Sequence, residues 1–288
     1  MFKRFRSFFT MLGAAAAFLA MVLATLFIAG SPKPLVIYSA PTLRGLSDEL
    51  AGMSEQPVDI QVLGSVFAAN LIKAGKTPDL FLSVDSELKS GLNYRMEKPI
   101  GIYSLVFVCV KKYDSLNALR DAKIGIADPN QAPIGYRALA AIFLISENEG
   151  FNIVGEVEKN LHIRYVSNGH TVKILAKNIS SSGRFYMRPN LDFVGSLLEA
   201  GVVDCIFAHT PFVIYRNLYK DYNVLELPEY ARFEEDPPTR IIAVLSTVEI
   251  EVRRFEAIAL SFTEAGDELL QKLDEIDVEK FGMKRVEK

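Results

Sequence analysis

One local plan recurs along this chain and limits what it can fold into. An apolar run, Leu35 to Tyr38, meets the turn Ser39-Ala40-Pro41-Thr42 and then Leu43, Leu46 and Leu50 at helical spacing. Val58 to Leu63 repeats the plan through Gly64-Ser65 into Ala69, Ile72 and Lys73, and Asp79 to Ser83 begins a third unit. Strands alternating with helices at short spacing predict an α/β chain, a mostly parallel sheet covered by helices on both faces. The turns after successive strands then lie at one sheet edge, where open α/β sheets bind ligands. A serine beside a helix start is most often a cap, so Ser39 or Ser65 taken alone would read as one.

The pattern continues with a long buried strand over Gly101 to Val110 and a strand from Lys123 to Ala127. The latter runs into Asp128-Pro129-Asn130-Gln131-Ala132-Pro133-Ile134-Gly135-Tyr136-Arg137, with a helix expected from Tyr136 along Leu139, Ala140, Phe143 and Leu144. Such a turn aims free backbone N–H groups and the positive end of a helix dipole at whatever lies above it, although any βα turn shares that geometry. Phe151 to Ser182 has no clear period, and Ser180-Ser181-Ser182-Gly183 reads as a loop. Arg188-Pro189-Asn190 opens a helix carrying Leu191, Val194 and Leu198, with Gly201 past its end. Then come a strand at Val202 to Ala208, a turn at His209-Thr210-Pro211, a helix over Phe212 to Tyr222 and a crossing at Val224 to Leu227. The crossing leads back to the first strands, where a strand at Ile241 to Leu245 and a helix from Arg253 to Leu273 are expected to complete the first lobe.

With 288 residues, half of them hydrophobic, the chain can bury a core for two lobes of ordinary size. A net charge of −3 argues against nucleic acid, which calls for a clustered basic surface. Lys3, Arg4 and Arg6 precede an uncharged apolar run from Phe8 to Ala29 and then Gly30-Ser31-Pro32-Lys33-Pro34. Residues 1–33 therefore read as a signal peptide or membrane anchor, with the remainder outside the cytoplasmic membrane. A cut after Ser31 would leave Pro32 first, which favours a retained anchor helix. Cys109 and Cys205 lie in strand-like runs, either as buried thiols or as a disulfide.

The Asp128 to Arg137 loop resembles the second-lobe loop of archaeal-type tungstate/molybdate-binding proteins, the extracytoplasmic solute-binding subunits of ABC importers. Ser39, Gly64-Ser65-Val66, Pro78-Asp79, Ser83-Val84-Asp85, Arg188-Pro189 and Leu198 to Asp204 match in the same order. The resemblance implies a two-lobed periplasmic-binding-protein (class II) fold with its ligand cleft between lobes. Lobe one would be 34–109 plus 227–288, and lobe two 110–226. It further implies a small oxyanion ligand, tungstate or molybdate, an ABC permease as partner, and no catalysis or cofactor. By resemblance the ligand-binding positions are Ser39, Ser65, Ala132, Ile134 and His209. Two family carboxylates that approach the metal centre fall on Ala132 and Leu191 here, and a family tyrosine falls on His209. Asp128 and Asp192 are the nearest substitute ligands, although plain turn and first-turn roles suit both acids. Loss of the carboxylates leaves open a divergent receptor or anchored sensor for another anion or small organic solute. A more remote alternative is an extracellular enzyme using Cys205 with His209.

Overall fold

A computed structural model describes residues 33–286 except 114, 117, 151 and 152. The expected signal or anchor segment lies outside the described residues up to residue 32; among the described residues no helix is long and apolar enough to cross a membrane. Two compact units are distinguished. One is Met1–Pro34 with Glu55–Pro57, whose described residues form neither helix nor strand. The other, Leu35–Ser54 with Val58–Lys288, holds every helix and strand among the described residues.

The first sheet has the order β2-β1-β3-β14-β4. Its strands are β1 (Leu35–Ser39), β2 (Val58–Val62), β3 (Leu80–Ser83), β4 (Met96–Ile102) and β14 (Glu256–Ser261). β1 pairs in parallel with β2 and β3, and the buried runs Leu80–Ser83 and Ala257–Ser261 put the most apolar strands at its centre. Helices α1 (Arg44–Gly52) and α2 (Ser65–Lys73) follow β1 and β2, burying Leu46 and Leu50, and Ala68, Ala69 and Ile72.

The second sheet, β11-β5-β10-β6-β9, contains β5 (Leu105–Cys109), β6 (Ile124–Ala127), β9 (Phe185–Arg188), β10 (Cys205–His209) and β11 (Asn223–Glu226). Helix α3 (Pro133–Glu149) leaves β6, α4 (Val154–Leu161) follows it, α5 (Leu191–Glu199) joins β9 to β10, and α6 (Thr210–Tyr215) follows β10. Cys205 lies opposite Cys109 in the β10–β5 ladder, and the two form a disulfide. Of the two readings open for these cysteines, buried thiols therefore give way to the bridge.

Four expectations need correction. The strand expected over Gly101 to Val110 is two strands in different sheets, because the chain changes sheet at Tyr103-Ser104. Ile241 to Leu245 does not rejoin the first sheet. Instead β12 (Arg240–Val244) pairs with β8 (Thr171–Leu175) in a third sheet, β13-β12-β8-β7, completed by β7 (Arg164–Asn168) and β13 (Glu249–Val252). The helix expected from Arg253 is the central strand β14 followed by α7 (Glu264–Lys272), capped by Thr263. A strand buried on both faces has no alternation to distinguish it from a buried helix. The helix over Phe212 to Tyr222 stops at Tyr215, since Asn217 takes a left-handed conformation at φ 52°.

Candidate functional site

Three helices begin at one place. The starts of α2 (Gly64, Ser65), α3 (Ala132, Pro133, Ile134) and α5 (Asn190, Leu191) line a cavity of about 20 Å³, together with Ala40, Pro41, Thr42, Val84 and His209. First-turn N–H groups have no acceptor within their own helix, and each helix adds the positive end of its dipole. Glycine makes the convergence possible at two points. A Cβ on Gly64 would stand 2.7 Å from the Gln131 carbonyl oxygen, and one on Gly135 would stand 2.3 Å from that of Ala127. The wall carries no carboxylate: its polar side chains are Thr42, Ser65, Asn190 and His209.

Of the positions singled out by sequence, Ser65, Ala132, Ile134 and His209 lie on this wall, and so does Leu191. Ser39 does not; it is fully buried at the end of β1, and its hydroxyl donates to the Ala40 carbonyl at 3.2 Å. Neither serine is a helix cap, since α2 is capped by Gly64 and the turn after β1 by Ala40. Thr42 supplies the hydroxyl from that turn. The sequence signal was a second hydroxyl residue beside Pro41, overshadowed by the serine that carried the resemblance.

Asp128 and Asp192 are both absent from the wall. Asp128 is occupied within its own loop, accepting from the Asn130 backbone at 2.8 Å and the Gln131 amide at 2.9 Å. Asp192 follows Leu191 round the helix, and burial raises its carboxyl above the usual range. The substitute-ligand reading therefore has no geometric support at either acid. The Cys205 and His209 enzyme reading also fails, because the Cys205 sulfur is bonded to Cys109.

His209 is 1% exposed and caps α6. Its Nδ1 accepts from the Phe212 N–H at 3.3 Å, while Nε2 lies 2.6 Å from Thr42 Oγ1. Burial, aided by the Arg137 charge, pushes its pKa down to about 3, so the ring is neutral at physiological pH.

One turn into α3 the chemistry changes. Arg137, fully buried, forms an ion pair with Asp85 at 2.8 Å and donates to the carbonyls of Arg253 and Arg254 at 3.0 and 3.1 Å. The Tyr136 hydroxyl donates to the same Asp85 carboxylate. The Arg137 guanidinium lies 4.4 Å from the centre of Phe255, which stacks on Tyr103 at 4.6 Å. Tyr103 and Phe255 belong to the two segments that leave and re-enter the first sheet, so this cluster fastens both crossings to α3.

No known family profile matches the chain. Solved structures resemble it at low identity. The periplasmic molybdate-binding protein of Azotobacter vinelandii is 13% identical, with 88% of this chain and 100% of that one covered at a TM-score of 0.61. A substrate-binding domain assigned to a molybdenum ABC transporter of Clostridium difficile is 14% identical, covering 88% and 99% at 0.52. The bromide-bound regulatory domain of HypT from Salmonella typhimurium is 10% identical, covering 84% and 94% at 0.52. The chain has the two-lobed class II periplasmic-binding-protein fold shared by the molybdate-binding structures.

Proposed function

We propose that this chain is an extracytoplasmic solute-binding protein that holds a small oxyanion, tungstate or molybdate, and delivers it to an ABC permease. The observation that carries the reading is the convergence of three helix starts and several uncharged donors on a small cavity without a carboxylate. Oriented N–H and O–H groups hold an anion without burying a cation beside it. In this proposal lobe one is built on the first sheet and lobe two on the second and third, so β5, β12 and β13 fall outside lobe one although the division 34–109 plus 227–288 and 110–226 placed them in it; residues 1–33 export the chain or anchor it at the outer face of the membrane. The kinship is with archaeal-type tungstate/molybdate receptors.

The test is calorimetric titration of the purified protein with tungstate, molybdate and sulfate. Tight saturable binding of at least one is expected; no heat from any of the three would remove the reading. Ala132 and Leu191 on the wall favour a second reading, a receptor or anchored sensor for an anion that needs no added oxygen ligands. Sulfate bound more tightly than either metal oxyanion would select it.

A further inference from the structure

A second cavity, of about 560 Å³, lies where the chain passes from the first sheet to the second. The crossing Ile102 to Val106 forms one wall, α6 and the end of β11 another, and the C-terminal segment from Gly282 to Lys284 a third. That volume falls within the roughly 300–1,000 Å³ usual for small-molecule sites. The C-terminal wall is held from both sides: Lys284 exchanges backbone bonds with Ile102 at 2.8 and 2.7 Å, and the Thr210 hydroxyl donates to the Gly282 carbonyl at 2.9 Å. Tyr103, Leu105, Val106, Leu227 and Met283 give a buried apolar lining.

The charged lining divides by what is already engaged. Glu234 accepts from the Ser104 hydroxyl, from Lys284 at 3.0 Å and from Arg232 Nη2 at 3.2 Å. Burial would raise its carboxyl, and those donors hold it below the usual range instead. Arg232 keeps one donor in hand, because its Nε–H is buried and meets no acceptor among the described residues. Such an N–H costs free energy that an oxygen of a ligand would return. Across the lining, Glu226 stands near Tyr219, whose hydroxyl is raised by burial first and by the Glu226 charge second. An aromatic ring beside a carboxylate suits an organic ammonium group.

We propose that this cavity binds a small organic zwitterion, an amino acid with an apolar side chain, its ammonium group at Glu226 and Tyr219, its carboxylate on Arg232 Nε and its side chain against Tyr103, Leu105 and Met283. A simple carboxylic acid would face Glu226, Glu234 and Glu279 with nothing to offset them. A simple amine would leave Arg232 Nε unpaired. Only a molecule with both ends answers both. The two cavities share no lining residue, so this site does not rest on the oxyanion reading.

The experiment titrates the full chain at neutral pH with phenylalanine, phenethylamine and 3-phenylpropanoate, three molecules that differ only in their charged ends. Saturable binding of phenylalanine is expected, with each one-ended analogue weaker by roughly tenfold or more. Glu226 is exposed, so Glu226→Gln leaves the core untouched; it should weaken phenylalanine by a similar factor and leave 3-phenylpropanoate unchanged. Arg232→Met should weaken phenylalanine and leave phenethylamine unchanged. No binding of phenylalanine, or an analogue bound as tightly as phenylalanine, overturns the proposal.

Hydrogen exchange of the unsubstituted protein locates the ligand without any variant. Added phenylalanine should slow exchange at Ser104 to Val106 and at Met283 and Lys284. Slowing at Ser65 and Ile134 instead would put the amino acid in the cavity of the helix starts and overturn the assignment. Failure to bind any oxyanion would remove the function proposed above and leave this site to be decided by phenylalanine alone.

Discussion

Two neighbouring regions of α3 handle charge in opposite ways. At Pro133 and Ile134 the helix faces a cavity whose wall has hydroxyls, an amide, a neutral imidazole and backbone N–H groups, with no full charge. One turn later, Tyr136 and Arg137 enter a charged cluster in which the Asp85 carboxylate and the guanidinium are each held by several partners. Burying a charge is tolerable only when partners replace its water, and they must be permanent. The cluster never exchanges its members, so it keeps its charges. Under the proposed function the cavity takes its charge from a visitor, so a fixed cation would be left unpaired each time the visitor departs. Neutral donors avoid that penalty.

The largest effect should come from unbalancing the cluster. Arg137→Met leaves Asp85 buried without its partner and should lower unfolding stability by about 3–5 kcal/mol, measured by urea denaturation. Joining it with Asp85→Leu should recover most of that loss. A single substitution as stable as the parent would show the cluster to be no better satisfied than the cavity.

Acid sharpens the contrast next. The folded pKa of His209 is depressed, so the stability of its neutral form is complete above the unfolded value near 6.5 and is lost as pH falls towards about 3. Within that window the loss approaches about 1.4 kcal/mol per pH unit, and His209→Gln should flatten the slope. An unchanged slope in that variant would mean that other groups govern acid unfolding.

On the cavity side, Ser65→Ala should weaken anion binding by about 1–3 kcal/mol while altering stability less. Ser39→Ala should change affinity little, because its hydroxyl is spent on the Ala40 carbonyl. Equal losses at the two serines would place Ser39 in the site after all. The smallest effect is spectroscopic. With Ala132 and Leu191 on the wall, X-ray absorption of the tungstate complex should show four-coordinate metal, and sulfate should compete. Six-coordinate metal would mean that an acid had moved in.

Much of the first sheet was legible because β1 and β2 each end in a turn of small or hydroxyl residues before a helix of clear period. The Asp128 to Arg137 loop was legible by resemblance, down to the apolar Ala132 standing where an acid was expected. Thr42 was harder, since its partner is a histidine 167 positions away. The β7–β8 hairpin went unread although Asn168-Gly169 marks its turn, with Gly169 at φ 61°. Its strands are half exposed and carry Arg164, Ser167 and Lys173, which masks the alternation. Strand β14 was taken for helix because no face of it is polar, and only its neighbours β3 and β4 reveal what it is.

That strand also sets a timetable. β4 adjoins the first sheet only through β14, so Met96 waits for Ser261 before it has a neighbour. A ribosome must reach Ser261 before this sheet can close, and pairings so distant in sequence form slowly. During that interval β3, the most apolar of the early strands, presents a bare edge to any other unfinished chain nearby. The insertion of β14 between β3 and β4 therefore makes completion of this sheet a late step of folding.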